Sequence, residues 1–63
     1  MIIKQFGGYA IEKHIQGHKW PVYVQYIKGN KIAWTLDYTH ARIYKNIKTA
    51  LKHDKNIPEI MNY

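Results

Sequence analysis

The Gly29-Asn30 step constrains this chain more than any other pair of residues. It stands between two β-prone runs, Val22–Lys28 and 31–36, and suits a two-residue hairpin turn in which glycine takes a positive φ. That register pairs Lys28 with Lys31, Ile27 with Ile32, Gln25 with Trp34 and Tyr23 with Leu36. One face then carries Tyr23, Ile27, Ile32, Trp34 and Leu36, interrupted only by Gln25. The other carries Val24, Tyr26, Lys28, Lys31, Ala33 and Thr35. A slip of one residue would scatter both sets, so the segregation supports the register. The first set is expected to face the core.

Residues 9–15 read as an earlier strand. Tyr9, Ile11 and Ile15 fall on one side and Ala10, Glu12 and His14 on the other. This strand is expected to pair antiparallel with the Val22 strand through the loop 16–21. Gly7-Gly8 separates it from an opening apolar stretch, Met1-Ile2-Ile3. Three strands with one apolar face need a cover, because a small isolated sheet is barely stable in water.

The second half must supply the cover, and two readings compete there. Ile43, Tyr44, Ile47, Ala50 and Leu51 fit one continuous helix from about residue 39. In the split reading Asp37 opens a tight turn, 42–45 forms a fourth strand, and Asn46 caps a helix that follows. The split is favoured because a fourth strand enlarges the sheet. Either way Ile47, Ala50 and Leu51 are the expected buried stripe, and the helix ends near Asn56, since the position before Pro58 is biased out of the α region. The fold expected is α+β: a three- or four-stranded antiparallel sheet with one C-terminal helix on one face. Tyr23, Ile27, Ile32, Trp34, Leu36, Ile47, Ala50 and Leu51 are its expected core.

Sixty-three residues allow a single domain, 1–63. A chain of this length buries only about 60% of the surface its unfolded form exposes, so its stability is marginal. Without cysteine, neither a disulfide nor a thiolate zinc site supplements it. No apolar stretch approaches the roughly 18 residues of a membrane span, and a signal-peptide pattern is not seen at the amino terminus. The expectation is a cytoplasmic protein with no membrane partner. The segment 57–63 is apolar, and Ile57, Ile60, Met61 and Tyr63 would dock either on their own domain or on a second copy as a homodimer.

The residues argue against catalysis. The acids are Glu12, Asp37, Asp54 and Glu59, with no close pair expected on one face for acid–base work. Serine and cysteine are absent, which removes the commonest nucleophiles. His14 and His18 lie four apart, but on a strand that spacing spans about 13 Å, so no metal site and no cofactor is expected. The basic residues are the candidate binding set. Ten Lys and Arg against four acids give a net charge of +6. Lys48, Lys52 and Lys55 form one stripe of the final helix, with Lys45 just before it. Lys28 and Lys31 form a second basic spot at the hairpin tip, with Tyr26 beside them. Ammonium groups near an aromatic ring suit phosphates and stacked bases; they equally suit an acidic protein surface, or serve solubility and guard a strand edge.

Two resemblances add to this reading. Tyr9-Ala10-Ile11-Glu12-Lys13, Val22-Tyr23-Val24-Gln25-Tyr26, Trp34-Thr35-Leu36-Asp37, Ala41-Arg42-Ile43-Tyr44-Lys45-Asn46 and Ala50-Leu51 together resemble short proteins carried by phages and mobile elements of low-GC bacteria. The resemblance implies a small antiparallel sheet with one helix, and a protein that binds and inhibits a host replication, transcription or antiviral-defence protein in the host cytoplasm. Residues 9–37 are also similar to the chromodomain pattern, although Tyr26 stands where that pattern has a second Trp and Leu36 where it has an acid. The leading expectation is therefore a non-catalytic phage-type inhibitor of a host protein. The alternatives are a small basic nucleic-acid-binding protein, and a structural or assembly protein.

Overall fold

In the computed structural model, residues 1–29 and 31–57 are described, together with the backbone of 60 and 61. The elements are β1 (Ile2–Gln5), β2 (Gly8–Ile15), β3 (Val22–Lys28), β4 (Lys31–Thr35), a single 3₁₀ turn (Tyr38–His40), α1 (Ile47–Lys55) and β5 (Ile60–Met61). Strands β1 to β4 form an open antiparallel sheet in chain order, and β5 adds to β2 in parallel at His14 and Ile15. This is the expected α+β layout of four strands and one C-terminal helix.

The fourth strand comes from the amino terminus, not from 42–45. Phe6 (φ 48) and Gly7 (φ 75) are both left-handed, the turn geometry that matches the twist of a tight hairpin. It folds β1 back so that Ile2 pairs with Ile11 and Gln5 with Gly8. The segment expected as a strand makes only a single bridge. Tyr44 exchanges two backbone hydrogen bonds with Tyr9 (2.7 and 2.8 Å), and the Arg42 N–H donates to the Val24 carbonyl at 2.8 Å. The segment thus wedges between β2 and β3, which pair only at Glu12–Tyr23 and Lys13–Val22. Gly8 makes room for it. A Cβ there would lie 2.5 Å from Ile43 Cγ2 and 2.7 Å from the Tyr44 carbonyl oxygen.

The hairpin tip is as expected. Lys28 pairs with Lys31 and Ile27 with Ile32, and Gly29 has φ 60; Asn30 lies outside the described residues. Further along, β3 bulges at Gln25, so that Val24, not Gln25, faces Trp34, and Tyr23 faces Thr35. An extra residue on one strand reverses the faces beyond it. Val24 is therefore buried in the core, whereas Tyr23, expected there, is not; Leu36, also expected in the core, lies past the end of β4 at Thr35 and leaves it. Leu36 is 67% exposed. Ile11, Val24, Tyr44, Ala50 and Ile57 form the core, with Ile2, Tyr9, Ile27, Ile32 and Trp34 packed around them.

Helix α1 begins as expected, with the Asn46 carboxamide oxygen accepting from the Lys48 N–H at 2.8 Å. Its buried stripe is rotated from the expected one. Ala50, His53, Asp54 and Ile57, spaced i, i+3, i+4, i+7, turn inward, while Ile47 (43% exposed) and Leu51 (49%) turn out. The cause lies in β2. Lys13 shares the core side with Tyr9 and Ile11 and is 1% exposed. Its ammonium lies 2.6 Å from Asp54 Oδ1 and donates to the Ile57 carbonyl at 3.0 Å. A sealed cation must be paired and hydrogen-bonded, and a helix that turns Asp54 inward supplies the carboxylate for this one. Alongside it, the Tyr44 hydroxyl and His53 Nδ1 are hydrogen-bonded at 2.8 Å.

Ile57 is thus part of the chain's own core, and 60–61 continue as a strand on β2. The side chains of Ile60 and Met61, and the whole of Tyr63, lie outside the described residues, as do Pro58 and Glu59.

Candidate functional site

The helix covers one side of the sheet, and the other side carries the exposed aromatic groups. Glu12, Tyr23 and Thr35 lie abreast across β2, β3 and β4. Trp20 and Pro21 approach from the loop before β3, and Leu36 and Tyr38 from the loop after β4. Together Trp20, Pro21, Tyr23, Leu36 and Tyr38 line a shallow groove of about 260 Å³. The ring of Phe6, at the β1–β2 turn, stacks on Tyr38 with centroids 6.4 Å apart and planes 16° apart, which extends the aromatic surface. Phe6 and Trp20 are each 66% exposed. Large apolar side chains gathered in this way mark an interaction surface. The left-handed backbone of Phe6 points the same way, because a bulky residue in that region is strained and such strain collects at functional sites.

The loop that carries Leu36 and Tyr38 is tied down by its own polar groups. Asp37 caps the 3₁₀ turn, accepting from the Thr39 N–H (2.9 Å) and the Thr39 hydroxyl (2.6 Å), and its own N–H donates to Thr35 Oγ1 at 3.1 Å. Gln5 Nε2 donates to the Tyr38 carbonyl at 2.7 Å. The hydrogen bond from the Thr39 side chain, then that from its backbone, holds the Asp37 carboxyl below its usual range. Glu12, directly across from Tyr23 in the β2–β3 pairing, stands beside the groove on the strand side. Burial first, and then the charge and hydrogen bond of Glu12, raise the Tyr23 phenol. Two of the four acidic residues of this basic chain therefore stand beside the aromatic groove.

The basic residues singled out from the sequence separate into two groups. Tyr26, Lys28 and Lys31 lie on the same side of the sheet as Tyr23, further towards the hairpin tip. Lys48, Lys52 and Lys55 lie on α1, on the opposite layer. All six side chains are exposed, and among the described residues none enters an ion pair or side-chain hydrogen bond. The aromatic groove was missed in the sequence because Tyr23 and Leu36 were assigned to the core. The available signal was Trp20-Pro21, a tryptophan in a loop with no strand position to bury it.

The histidines do not gather. His14 Nε2 lies 3.8 Å from Glu12 Oε1, His40 Nε2 lies 3.9 Å from Asp37 Oδ2, and His53 is engaged by Tyr44. No group of three or more metal-ligating side chains occurs among the described residues. No helix among them is long and apolar enough to cross a membrane.

Burial raises the Tyr44 phenol as well, against a smaller opposing effect of Arg42, whose guanidinium lies 4.7 Å from the ring centroid. A group whose folded value is raised stabilises the fold fully below its unfolded value and loses that contribution as pH climbs through the folded one. Unfolding followed by circular dichroism should therefore show stability falling above about pH 10, the ordinary phenol range. A Tyr44→Phe variant should lose less of its own stability over that range than the parent does.

The fold is a small α+β domain with an exposed aromatic groove on the side of the sheet away from the helix. Comparison with known proteins finds no matching family model, no matching curated protein and no matching solved structure.

Proposed function

We propose that this chain is a non-catalytic binding protein that docks a partner protein on its aromatic face and inhibits it, in the manner of a phage-type inhibitor of a host protein. The observation that carries this reading is the exposed groove of Trp20, Pro21, Tyr23, Leu36 and Tyr38 with the carboxylates of Glu12 and Asp37 beside it. Exposed Trp and Tyr are the side chains that dominate protein–protein hot spots. Two carboxylates beside them disfavour a polyphosphate at the same place. The resemblance to small phage proteins supports the inhibitory role; the groove supports only the docking. Host takeover or evasion of an antiviral defence is the process proposed.

Co-purification of the tagged chain from a bacterial lysate tests the reading. One specific protein should be recovered, and a Trp20→Ala/Tyr38→Ala variant should weaken its binding by about 30-fold, the scale of a lost hot spot. Both side chains are exposed, so the variant should keep the parent's fold. Recovery of no specific protein, alongside tight binding to bare nucleic acid, overturns it.

Direct nucleic-acid binding is the second reading. It is favoured by Tyr26 standing exposed between the sheet's aromatic end and the Lys28/Lys31 pair, with no acid among the described residues pairing those ammoniums. Such binding should weaken steeply with salt, and Trp20→Ala/Tyr38→Ala should leave it unchanged.

A further inference from the structure

We infer that the groove receives an extended, proline-containing segment of the partner with an arginine or lysine beside its prolines. The inference rests on the docking reading and narrows it to a kind of ligand. Three features of the groove lead to it.

The first is shape. At about 260 Å³ the groove falls below the usual range for a ligand pocket, about 300–1,000 Å³. It is too small to take the apolar face of a helix, but it suits one or two flat rings laid against aromatic walls. The second is chemistry. Trp20, Tyr23 and Tyr38 line the groove with aromatic rings, and against such walls a polyproline II segment packs with little loss of chain freedom, because that conformation is already extended. The Trp20 indole N–H donates to nothing among the described residues. It is available to a peptide carbonyl, and prolyl carbonyls need such donors from outside their own segment.

The third feature is charge. The chain carries a net +6, yet Glu12 pairs with the groove residue Tyr23 and Asp37 lies between the groove residues Leu36 and Tyr38. The basic groups facing them are His14, 3.8 Å from Glu12, and His40, 3.9 Å from Asp37, while Lys19 lies over the Trp20 ring at 5.2 Å. An incoming segment therefore meets a carboxylate on the strand side and another on the loop side. A basic residue complements them and an acidic one is repelled, with a gain limited by the solvent exposure of Asp37.

The test is a titration of the full chain with synthetic peptides, read from the Trp20 indole N–H resonance. The probe peptide has the pattern Pro-x-x-Pro followed by Arg; its controls replace both prolines by alanine, or the arginine by glutamate. Saturable binding centred on Trp20 and Tyr38 is expected. The alanine control and the Trp20→Ala protein should each bind about tenfold more weakly, the loss of one anchoring contact. The glutamate control should bind about fivefold more weakly, and Asp37→Asn should shrink that difference. Equal binding of the probe and the alanine control overturns the inference, as does a perturbation centred elsewhere, such as on Ile27 and His53. If no peptide binds while the lysate partner is still captured through Trp20, the proline inference fails and the docking reading stands.

Discussion

Replacing Asp54 with alanine is expected to remove most of the stability of this domain. At roughly 0.05–0.15 kcal/mol per residue, a chain of this length has about 3–9 kcal/mol in hand. Asp54→Ala takes away the carboxylate 2.6 Å from the Lys13 ammonium, in a site that is 1% exposed, while the carbonyls of Ile57 and residue 54 remain as acceptors. Breaking a buried ion pair by removing one partner costs about 3–5 kcal/mol. The Asp54 side chain is still 20% exposed, so water can reach part of the vacated site, which places the loss at about 3 kcal/mol. Most of the penalty belongs to the stranded cation, not to the lost attraction. Lys13→Met added to Asp54→Ala should therefore recover much of the loss, since an unbranched apolar chain of similar length fills the same channel. Urea denaturation of the two single variants and the double variant measures the coupling. An Asp54→Ala midpoint indistinguishable from the parent's, or a double variant no better than Asp54→Ala, would show that Lys13 is not sealed.

The same ion pair explains why the helix was legible in its bounds but not in its orientation. Asn46 and Pro58 mark the ends through local rules of capping and steric restriction, which act within a few residues. Which stripe turns inward depends on what it meets, and the partner here is a lysine some forty residues away. The sequence did hold a trace of it. Lys13 falls in the alternation of Tyr9, Ile11 and Ile15, so a charge at a core-side position should have called for an acid on the covering element. On the helix, Asp54 is the only acid available. The hairpin divides in a similar way. The register from Lys28–Lys31 to Ile27–Ile32 follows from the turn, but a bulge leaves no mark in an alternating pattern. Gln25 looked like a polar intrusion on a core face and is the extra residue itself. From that error came the misplaced Tyr23; Leu36 was misplaced because β4 stops at Thr35, so the alternation of Ile32 and Trp34 does not run on to it, and the two misplacements together hid the aromatic groove. Strand β1 was lost for a different reason: its turn puts phenylalanine at a positive φ, where sequence rules expect glycine or asparagine.

Alanine substitutions on the two sides of the sheet should then give opposite results from those a uniform alternation predicts. Ile11→Ala removes a side chain with no exposure from the centre of the core, where it packs with Val24, Tyr44 and Ala50. Such a truncation costs about 2–5 kcal/mol, because the transfer energy is lost and the neighbours cannot close the cavity fully. The backbone around Ile11 has little room to relax: β2 pairs with β1 at this residue and with β3 immediately after it. The upper half of the range, about 3–5 kcal/mol, follows. Leu36→Ala and Leu51→Ala remove side chains of the same size and should each change stability by about 0.5 kcal/mol or less, as surface substitutions do. Leu36→Ala should nevertheless weaken partner binding, since that side chain lines the groove. Thermal melts of the three variants decide the matter. A large loss for Leu36→Ala with little for Ile11→Ala would return Leu36 to the core and remove a wall of the groove. The outcome expected here separates the two roles: Ile11 holds the sheet to its helix, and Leu36 is kept outside for contact.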